Sequence, residues 1–260
     1  MNYELTKCFD RIWASFIFFT RLPLWRLHEP RTECYKTVVE HWPLTGWLTG
    51  GLMAATLYAG SLFLPYLVAV LLAIAVRMLT TGALHEDGLA DFFDGFGGGG
   101  SDRERILTIM KDSHIGTFGV LGLVMYVMLL ASALFSMSPQ VAALTILAAD
   151  PFAKMLTAGL ITLPYARKEE EAKAKVVYRK IPTLAIISLA LQGLLPILPL
   201  ICHLTIHHLP FTILPFIPSF FIFTLLYMFI RGRLQGYTGD CCGAVCLMVE
   251  LSIYLTACAL

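Results

Sequence analysis

Apolar residues run through this chain in long blocks separated by short polar segments, and the blocks set the expected architecture. About seven of them approach the ~20 residues a helix needs to cross a bilayer. They fall near 42–64, 66–84, 115–137, 140–163, 180–201, 209–231 and 240–260. Pro196, Pro199, Pro215 and Pro218 kink the fifth and sixth blocks and blur their ends. Ahead of them, Trp13 to Thr20 is apolar but too short to span, and Pro23 follows it. Residues 1–41 therefore read as an N-terminal segment that lies at the membrane interface or re-enters it. No internal repeat divides the chain. The pattern predicts an all-α, polytopic integral membrane protein of about seven transmembrane helices, built as one domain over 1–260.

Composition strengthens this reading. Only 14% of the residues are charged, 57% are hydrophobic, and the mean hydropathy is +0.73. A soluble domain carries about 25% charged residues, so an ordinary water-soluble fold is excluded. A net charge of +1 gives no basis for nucleic-acid binding. The seven cysteines form no pair of CxxC motifs, and several sit in apolar runs where a reduced thiol packs as a small hydrophobe. No apolar leader with a small-residue cleavage site is visible at the start.

Charge then orients the spans. Of the 19 Lys and Arg, Arg77 and Lys154 fall inside expected spans, and all the others lie in segments that alternate onto one side. The excess of positive charge on cytoplasmic loops places the N-terminus in the cytoplasm and the C-terminus outside. That orientation gathers residues 85–114, the basic loop at 164–180 and the turn from Gly236 to Asp240 on one cytoplasmic face. The remaining surface is left to membrane lipid. The sequence is compatible with a homo-oligomer.

The densest chemistry is Leu84-His85-Glu86-Asp87-Gly88-Leu89-Ala90-Asp91-Phe92-Phe93-Asp94-Gly95, followed by Phe96 and Gly97 to Gly100. On a helix, at about 100° per residue, Asp87, Asp91 and Asp94 fall within about 60° of one another. Glu86 lies about 100° from Asp87 and belongs to another side. Three carboxylates on one face repel unless a cation neutralises them, and oxygen ligands suit Mg²⁺, Mn²⁺ or Ca²⁺. The alternative is a solvated acidic helix end. The glycines end the helix and begin either a linker or a mobile cover over substrate. Ser101, with Glu104 three residues on, has the pattern of a capping box that starts a second helix. Lys111-Asp112-Ser113-His114 then offers a cation, a carboxylate and a candidate base where the third span begins, and Gly116 and Gly119 allow close backbone approach.

A second dense stretch, Arg231 to Asp240, leads into the seventh span. Thr238 or Asp240 can cap that helix. Alternatively, its glycines and free N–H groups hold an anion beside Arg231 and Arg233, or Asp240 reaches a metal. Arg77, Asp150, Lys154 and Glu250 lie at membrane depth, where ionisable groups face protein or water. Asp150 and Lys154, four apart, can pair, whereas Glu250 has no evident partner. Together these parts point to one reaction class. A divalent metal bridges a diphosphate, an alcohol attacks in line, and a nucleoside monophosphate leaves.

Two other readings compete. Transfer of a phosphoalcohol from a CDP-alcohol to a lipid calls for Asp-Gly-x-x-Ala-Arg, but Asp91 follows Ala90 here, and the next carboxylate after Asp94 is Asp102. An ion transporter calls for carboxylates at the bilayer midplane, where only Asp150 and Glu250 fit.

The motifs resemble those of the cobalamin synthases, the adenosylcobinamide-GDP ribazoletransferases. The matching stretches begin with Thr20-Arg21-Leu22-Pro23, Pro43-Leu44, Gly46 and Gly50, and continue with His85 to Asp91 and Asp94-Gly95. They go on through Asp102-Arg103, Ile109 to Ser113, Ile115-Gly116-Thr117 and Tyr165-Ala166-Arg167, and end with Thr238-Gly239-Asp240, Gly243-Ala244 and Glu250. The chain departs from the family's usual residues at Glu86, His114, Asp150, Leu247 and the loop Lys168 to Glu171.

The resemblance implies an enzyme of the bacterial cytoplasmic (inner) membrane with its site facing the cytoplasm. The 3′-hydroxyl of α-ribazole, or of its 5′-phosphate, would attack adenosylcobinamide-GDP and release GMP. It implies Mg²⁺ held by Asp87, Asp91, Asp94 and Asp240, with Glu86 as a further candidate. Lys111 and Asp112 join the aspartates as catalytic candidates. Substrate contacts are expected from Arg21, His85, Gly88, Gly95, Arg103, Ser113, His114, Gly116, Arg167, Thr238, Gly239 and Glu250.

Overall fold

The computed structural model describes residues 2–168, 176–204 and 213–260, and their regular elements are all helical. Residues 169–175 of the expected basic loop lie outside the described residues. So do 205–212, which cover most of the expected outer loop and the start of the sixth expected span.

Helix α1 (Asn2–Phe19) is followed by two 3-10 turns, Leu24–Arg26 and Thr32–His41, that fold back on it. Trp13 Nε1 donates to the carbonyls of Leu24 and His28, and Ser15 Oγ to that of Val38. This segment is not among the stretches long and apolar enough to cross a membrane. Then come α2 (Trp42–Ser61), α3 (Tyr66–Thr81), α4 (Leu84–Gly98) and α5 (Arg103–Lys111). They are followed by α6 (Thr117–Ser136), α7 (Pro139–Thr157), a 3-10 turn (Ala158–Thr162), α8 (Thr183–Leu194) and α9 (Ile197–Leu204). After a last 3-10 turn (Leu214–Phe216) the chain ends in α10 (Ile217–Leu234) and α11 (Gly239–Ala257).

Among the described residues, five helical stretches, 117–136, 139–162, 183–202, 214–234 and 239–257, are long and apolar enough to cross a membrane, and α3 with α4 makes a sixth if the bent pair counts as one. The pattern had suggested about seven. The difference lies first in α2, which is 20 residues long but is diluted by threonines and glycines and falls outside that set. It lies second in the bend. The chain turns 90° between α3 and α4 through Gly82 (φ 64) and Ala83 (φ 54). Gly82 takes the left-handed conformation without steric cost. The acidic stretch is thus neither a loop nor the tail of a straight span, but a helix turned across the bundle.

Helix α11 is the centre of the packing, buried along most of its length, with α4, α6, α7 and α10 against it. Helix α2 lies against α7 and α3. The ionisable groups at depth are all paired. Asp150 and Lys154 join along α7 as their spacing suggested, and Thr49 Oγ1 donates to Asp150 at 2.7 Å. Glu250, which had no evident partner in the sequence, accepts from Arg77 Nη1 at 2.7 Å. The hydroxyls of Tyr126 and Tyr254 close around this pair, and Glu86 stands 3.6 Å from Arg77 Nη2. Losing one partner of such a buried pair costs about 3–5 kcal/mol.

Candidate active site

The site begins where the first turns of α4 and α11 cross. A Cβ on Gly88 would meet backbone atoms of Asp240 at 3.0 and 3.1 Å, and one on Gly243 would meet the His85 carbonyl oxygen at 3.1 Å. Glycine at both positions is what lets the two helices touch, and the touch brings Asp87 and Asp240 to one cavity of about 260 Å³. A short pairing of extended chain adds the cation. Ala166 N donates to Tyr237 O and Tyr237 N to Pro164 O, so Arg167 is carried to the start of α11. Its Nη2 lies 3.9 Å from Asp240 Oδ2 and donates to Leu107 O at 3.0 Å, while the buried Nε has no hydrogen-bond partner.

His85, Asp87, Gly88, Gly239, Asp240 and Arg167, all expected from sequence, line this cavity. The N-terminal turns of α4 and α11 and the first residue of α2 also face it. The partial positive charge of helix N-termini suits an anion there.

Five aromatic side chains that went unseen in the sequence as cavity residues also line it, beside Leu84, Val176, Cys242 and Gly243: Phe18, Phe19, Trp42 and Tyr178, with Tyr165 of the matched Tyr165-Ala166-Arg167 stretch. Phe19, Trp42 and His85 form a stack, with centroids 4.9 Å apart at 13° and 5.8 Å apart at 10°. Tyr178 and Tyr237 lie parallel within 10°, and Phe18 meets both Phe19 and Tyr178 edge-on. Burial raises the Tyr165 and Tyr178 hydroxyls above their ordinary values, so both stay neutral. These rings come from separate elements, and no local spacing links them. The one available signal was a tryptophan opening α2 directly after a polar segment.

Other expected site residues lie elsewhere. Asp94 turns to α6, where Oδ2 accepts from Gly116 N at 2.7 Å and Oδ1 from Gly119 N at 2.8 Å. Gly116 thus serves that contact. Lys111, the last residue of α5, and Asp112, Ser113 and His114, between α5 and α6, are exposed and do not line the cavity. The His114 hydrogen bond holds the Asp112 carboxyl below the usual carboxylate range. Arg103 donates to Leu234 O and Ala166 O and acts as a clamp. Arg21 lies over Gly82, and Gly95 seats Met110 of α5. Thr238 is the cap of α11, accepting from Cys241 N, so Asp240 is not needed for that role. Glu250 and Glu86 belong to the Arg77 network rather than to the cavity.

The glycine run is also a packing surface. Helix α4 continues to Gly98, Gly97 faces the Phe118 ring, and Asp102 rather than Ser101 caps α5 through the Glu104 and Arg105 amides. Arg233 turns to the carbonyl of Gly100, away from the cavity.

Among the described residues, no group of three or more His, Cys, Asp or Glu side chains is already gathered to hold a metal. What is assembled is a smaller set. Asp87 and Asp240 line the cavity, and Asp91 stands one turn along α4 from Asp87. Mg²⁺ commonly takes one or two carboxylates and completes its shell with water and substrate phosphates, so this donor set fits it.

Fold and site together define a polytopic α-helical membrane protein with an acidic, arginine-flanked pocket at the crossing of two helix N-termini. The chain belongs to the cobalamin-5-phosphate synthase family, whose model matches residues 11–258. It is similar to proteins named adenosylcobinamide-GDP ribazoletransferase from several bacteria. The relative from Leptospira interrogans is 33% identical over 257 residues, covering 97% of this chain and 96% of the relative. The one from Leptothrix cholodnii is 36% identical (92% and 90%), and the one from Shewanella baltica strain OS155 is 32% identical (95% and 93%). No solved structure matches the chain.

Proposed function

We propose that this protein is a Mg²⁺-dependent transferase that joins adenosylcobinamide-GDP to α-ribazole, or to its 5′-phosphate, and releases GMP. The observation that carries the reading is the meeting of Asp87, Asp240 and Arg167 in one cavity, reached from three distant parts of the chain. Asp87, Asp91 and Asp240 would hold the metal, which when bound neutralises charge on the diphosphate and polarises the reacting phosphoryl group. Asp94 supports the site by holding the start of α6 beside α4. Arg167, already within reach of Asp240, places its guanidinium where phosphate oxygens enter and where charge grows on the departing GMP. The helix N-termini reinforce the same preference for anions. The stacked rings exclude water from one side of the cavity, which strengthens these electrostatic contacts.

The test is product analysis with purified protein. Adenosylcobinamide-GDP and α-ribazole with Mg²⁺ should yield adenosylcobalamin and an equal amount of GMP, and a chelator should stop both. A product without loss of GMP would refute the reading. The charge asymmetry of the loops further supports a cytoplasmic site in a bacterial inner membrane. An impermeant thiol reagent should label a cysteine at position 138 from outside and not one at Gly98, in a background lacking reactive native thiols. The reverse labelling would overturn that orientation.

A further inference from the structure

A second cavity lies apart from the catalytic site, in a wedge between α7 with its 3-10 extension and α8. Its volume is about 530 Å³, about twice that of the catalytic cavity. The wedge has a physical origin. A Cβ on Gly193 would meet the Met155 side chain at 2.5 Å, so glycine lets α8 touch α7 at this depth, and Met155 closes the inner end of the cavity. Nearer the basic loop α7 gives way to the 3-10 turn at Ala158, α8 has not begun until Thr183, and the space between them stays open.

The lining is almost wholly apolar, with Met155, Leu156 and Ile161 on one side and Ile181, Ile186 and Leu189 on the other. These walls lie at the adjoining ends of two stretches able to cross a membrane, 139–162 and 183–202. Leu184, Ile187 and Leu191 beside them are exposed, so the groove opens to lipid rather than to water. An apolar space left empty forfeits dispersion contacts on every wall, and hydrocarbon is what the surroundings offer to fill it. The reach suits one acyl chain. From Thr183 to Ala190 the groove follows α8 inward for about 10 Å at 1.5 Å per residue, within the roughly 15 Å of hydrocarbon in one leaflet.

The two polar side chains of the lining, Thr162 and Lys180, both stand at the basic-loop end. Thr162 is committed, since its hydroxyl donates to Gly159 O at 2.8 Å and lies 3.0 Å from the Tyr227 hydroxyl. Lys180 is exposed, and its backbone is anchored: Arg179 N donates to Lys36 O at 2.8 Å, and Tyr178 meets Phe18 edge-on. Arg179 and Lys36 are exposed as well, whereas Glu40, four residues beyond Lys36, is buried and paired with Arg11 at 3.5 Å. Segment 164–180 carries six Lys and Arg against three Glu, so the mouth of the groove favours negative charge.

We propose that this wedge is a binding site for an anionic phospholipid, with one acyl chain between α7 and α8 and the headgroup phosphate paired with Lys180 at the membrane surface. Basic pockets between spans are suited to such headgroups. A zwitterionic lipid brings a cation of its own to the same rim, and a free anion has no chain for the apolar walls.

The test uses delipidated full-length protein in detergent and reads bound lipid by native mass spectrometry. Dioleoyl phosphatidylglycerol and dioleoyl phosphatidylcholine present the same chains with different headgroups. The anionic lipid should be held about fivefold more tightly, the effect of one lysine near an anionic lipid surface. Lys180→Gln should bring the two lipids to near equality. Ala190→Phe fills the wedge and should weaken both severalfold while keeping their ratio. Glycerophosphoglycerol, the headgroup without chains, should not compete at the concentration of the lipid.

Equal retention of the two lipids by the wild-type protein, an unchanged preference in Lys180→Gln, or competition by the chain-free headgroup would overturn the assignment. Lys180 is exposed, so its replacement leaves the fold intact. Should Ala190→Phe fail to fold, the wild-type comparison and Lys180→Gln decide alone. None of these measurements reads GMP release, so the lipid site stands or falls independently of the transferase reading.

Discussion

Asp94 is where the sequence pattern and the structure assign different work to one carboxylate. The helical spacing groups it with Asp87 and Asp91 as a metal ligand, yet both of its oxygens are committed to backbone N–H groups at the start of α6, at 2.7 and 2.8 Å. Asp94→Asn separates the two roles. Asparagine retains one accepting oxygen but turns an NH₂ toward the other amide, so one charge-assisted bond is lost, at about 1.5–3 kcal/mol. The negative charge facing the N-terminus of α6 is lost with it, a contribution of up to about 2 kcal/mol that overlaps with the first. A net loss of about 2–4 kcal/mol follows, which at roughly 2–4 °C per kcal/mol lowers the unfolding midpoint by about 4–16 °C. Intrinsic-fluorescence melting in detergent measures it, with GMP release assayed at a temperature where the variant is folded. Substantial turnover in a destabilised protein is the expected result. An unchanged midpoint with turnover abolished would refute the reasoning and return Asp94 to the metal group.

Asp240→Asn should behave in the opposite way. Thr238 caps α11, so the midpoint should hold while turnover falls by orders of magnitude, and a fully active variant would remove Asp240 from the site. Glu250→Gln leaves the Arg77 charge buried with Glu86 at 3.6 Å as its remaining carboxylate, and should cost about 3–5 kcal/mol in thermal or denaturant unfolding. Asp112→Asn alters an exposed side chain outside the cavity, so stability should change by less than about 0.5 kcal/mol and turnover should persist; a dead enzyme would put the α5–α6 turn back in the mechanism. The His28 hydrogen bond, with Arg31 beside it, holds the Asp10 carboxyl below its usual range. Its stabilisation is present above a pH of about 4 and is lost as pH falls through the folded-state value, so protease resistance of the N-terminal segment should fail only in acid, and at higher pH in His28→Ala.

What was legible in the sequence followed from local periodicity. The apolar blocks, the pairing of Asp150 with Lys154 and the distinct side occupied by Glu86 all depend on spacing within one helix, and each has its counterpart in the structure. The Arg77–Glu250 pair could not be read this way, because its partners lie 173 residues apart on two different helices and meet only in the folded bundle. The same holds for the aromatic wall, whose rings come from α1, α2, α4 and the segments around Tyr165 and Tyr178. Glycine was the ambiguous letter. Gly97 to Gly100 read as a flexible break, but an absent side chain also admits a neighbour, and Phe118 fills the space beside Gly97. Spacing alone does not distinguish the two uses.

The direction of α4 decides whether Asp87 and Asp240 meet, and α4 is poorly equipped to hold a direction by itself. It has 15 residues, and Gly88, Gly95 and Gly97 lie within it, each weakening a helix interior by about 1 kcal/mol relative to alanine. Three attachments from three other helices compensate. On its inner side Glu86 faces Arg77 of α3, at its first turn Gly88 meets α11, and toward its end Asp94 holds the amides that open α6. Neighbouring residues thus do opposite work: Glu86 points into the protein and fixes the helix, and Asp87, about 100° around, is presented to the cavity. A buried ion pair seldom stabilises a fold more than apolar packing of the same volume would. The Arg77 network is therefore better understood as fixing the rotation of α4 than as strengthening the bundle, because a helix free to turn by one residue would exchange Asp87 for Glu86 at the mouth of the site.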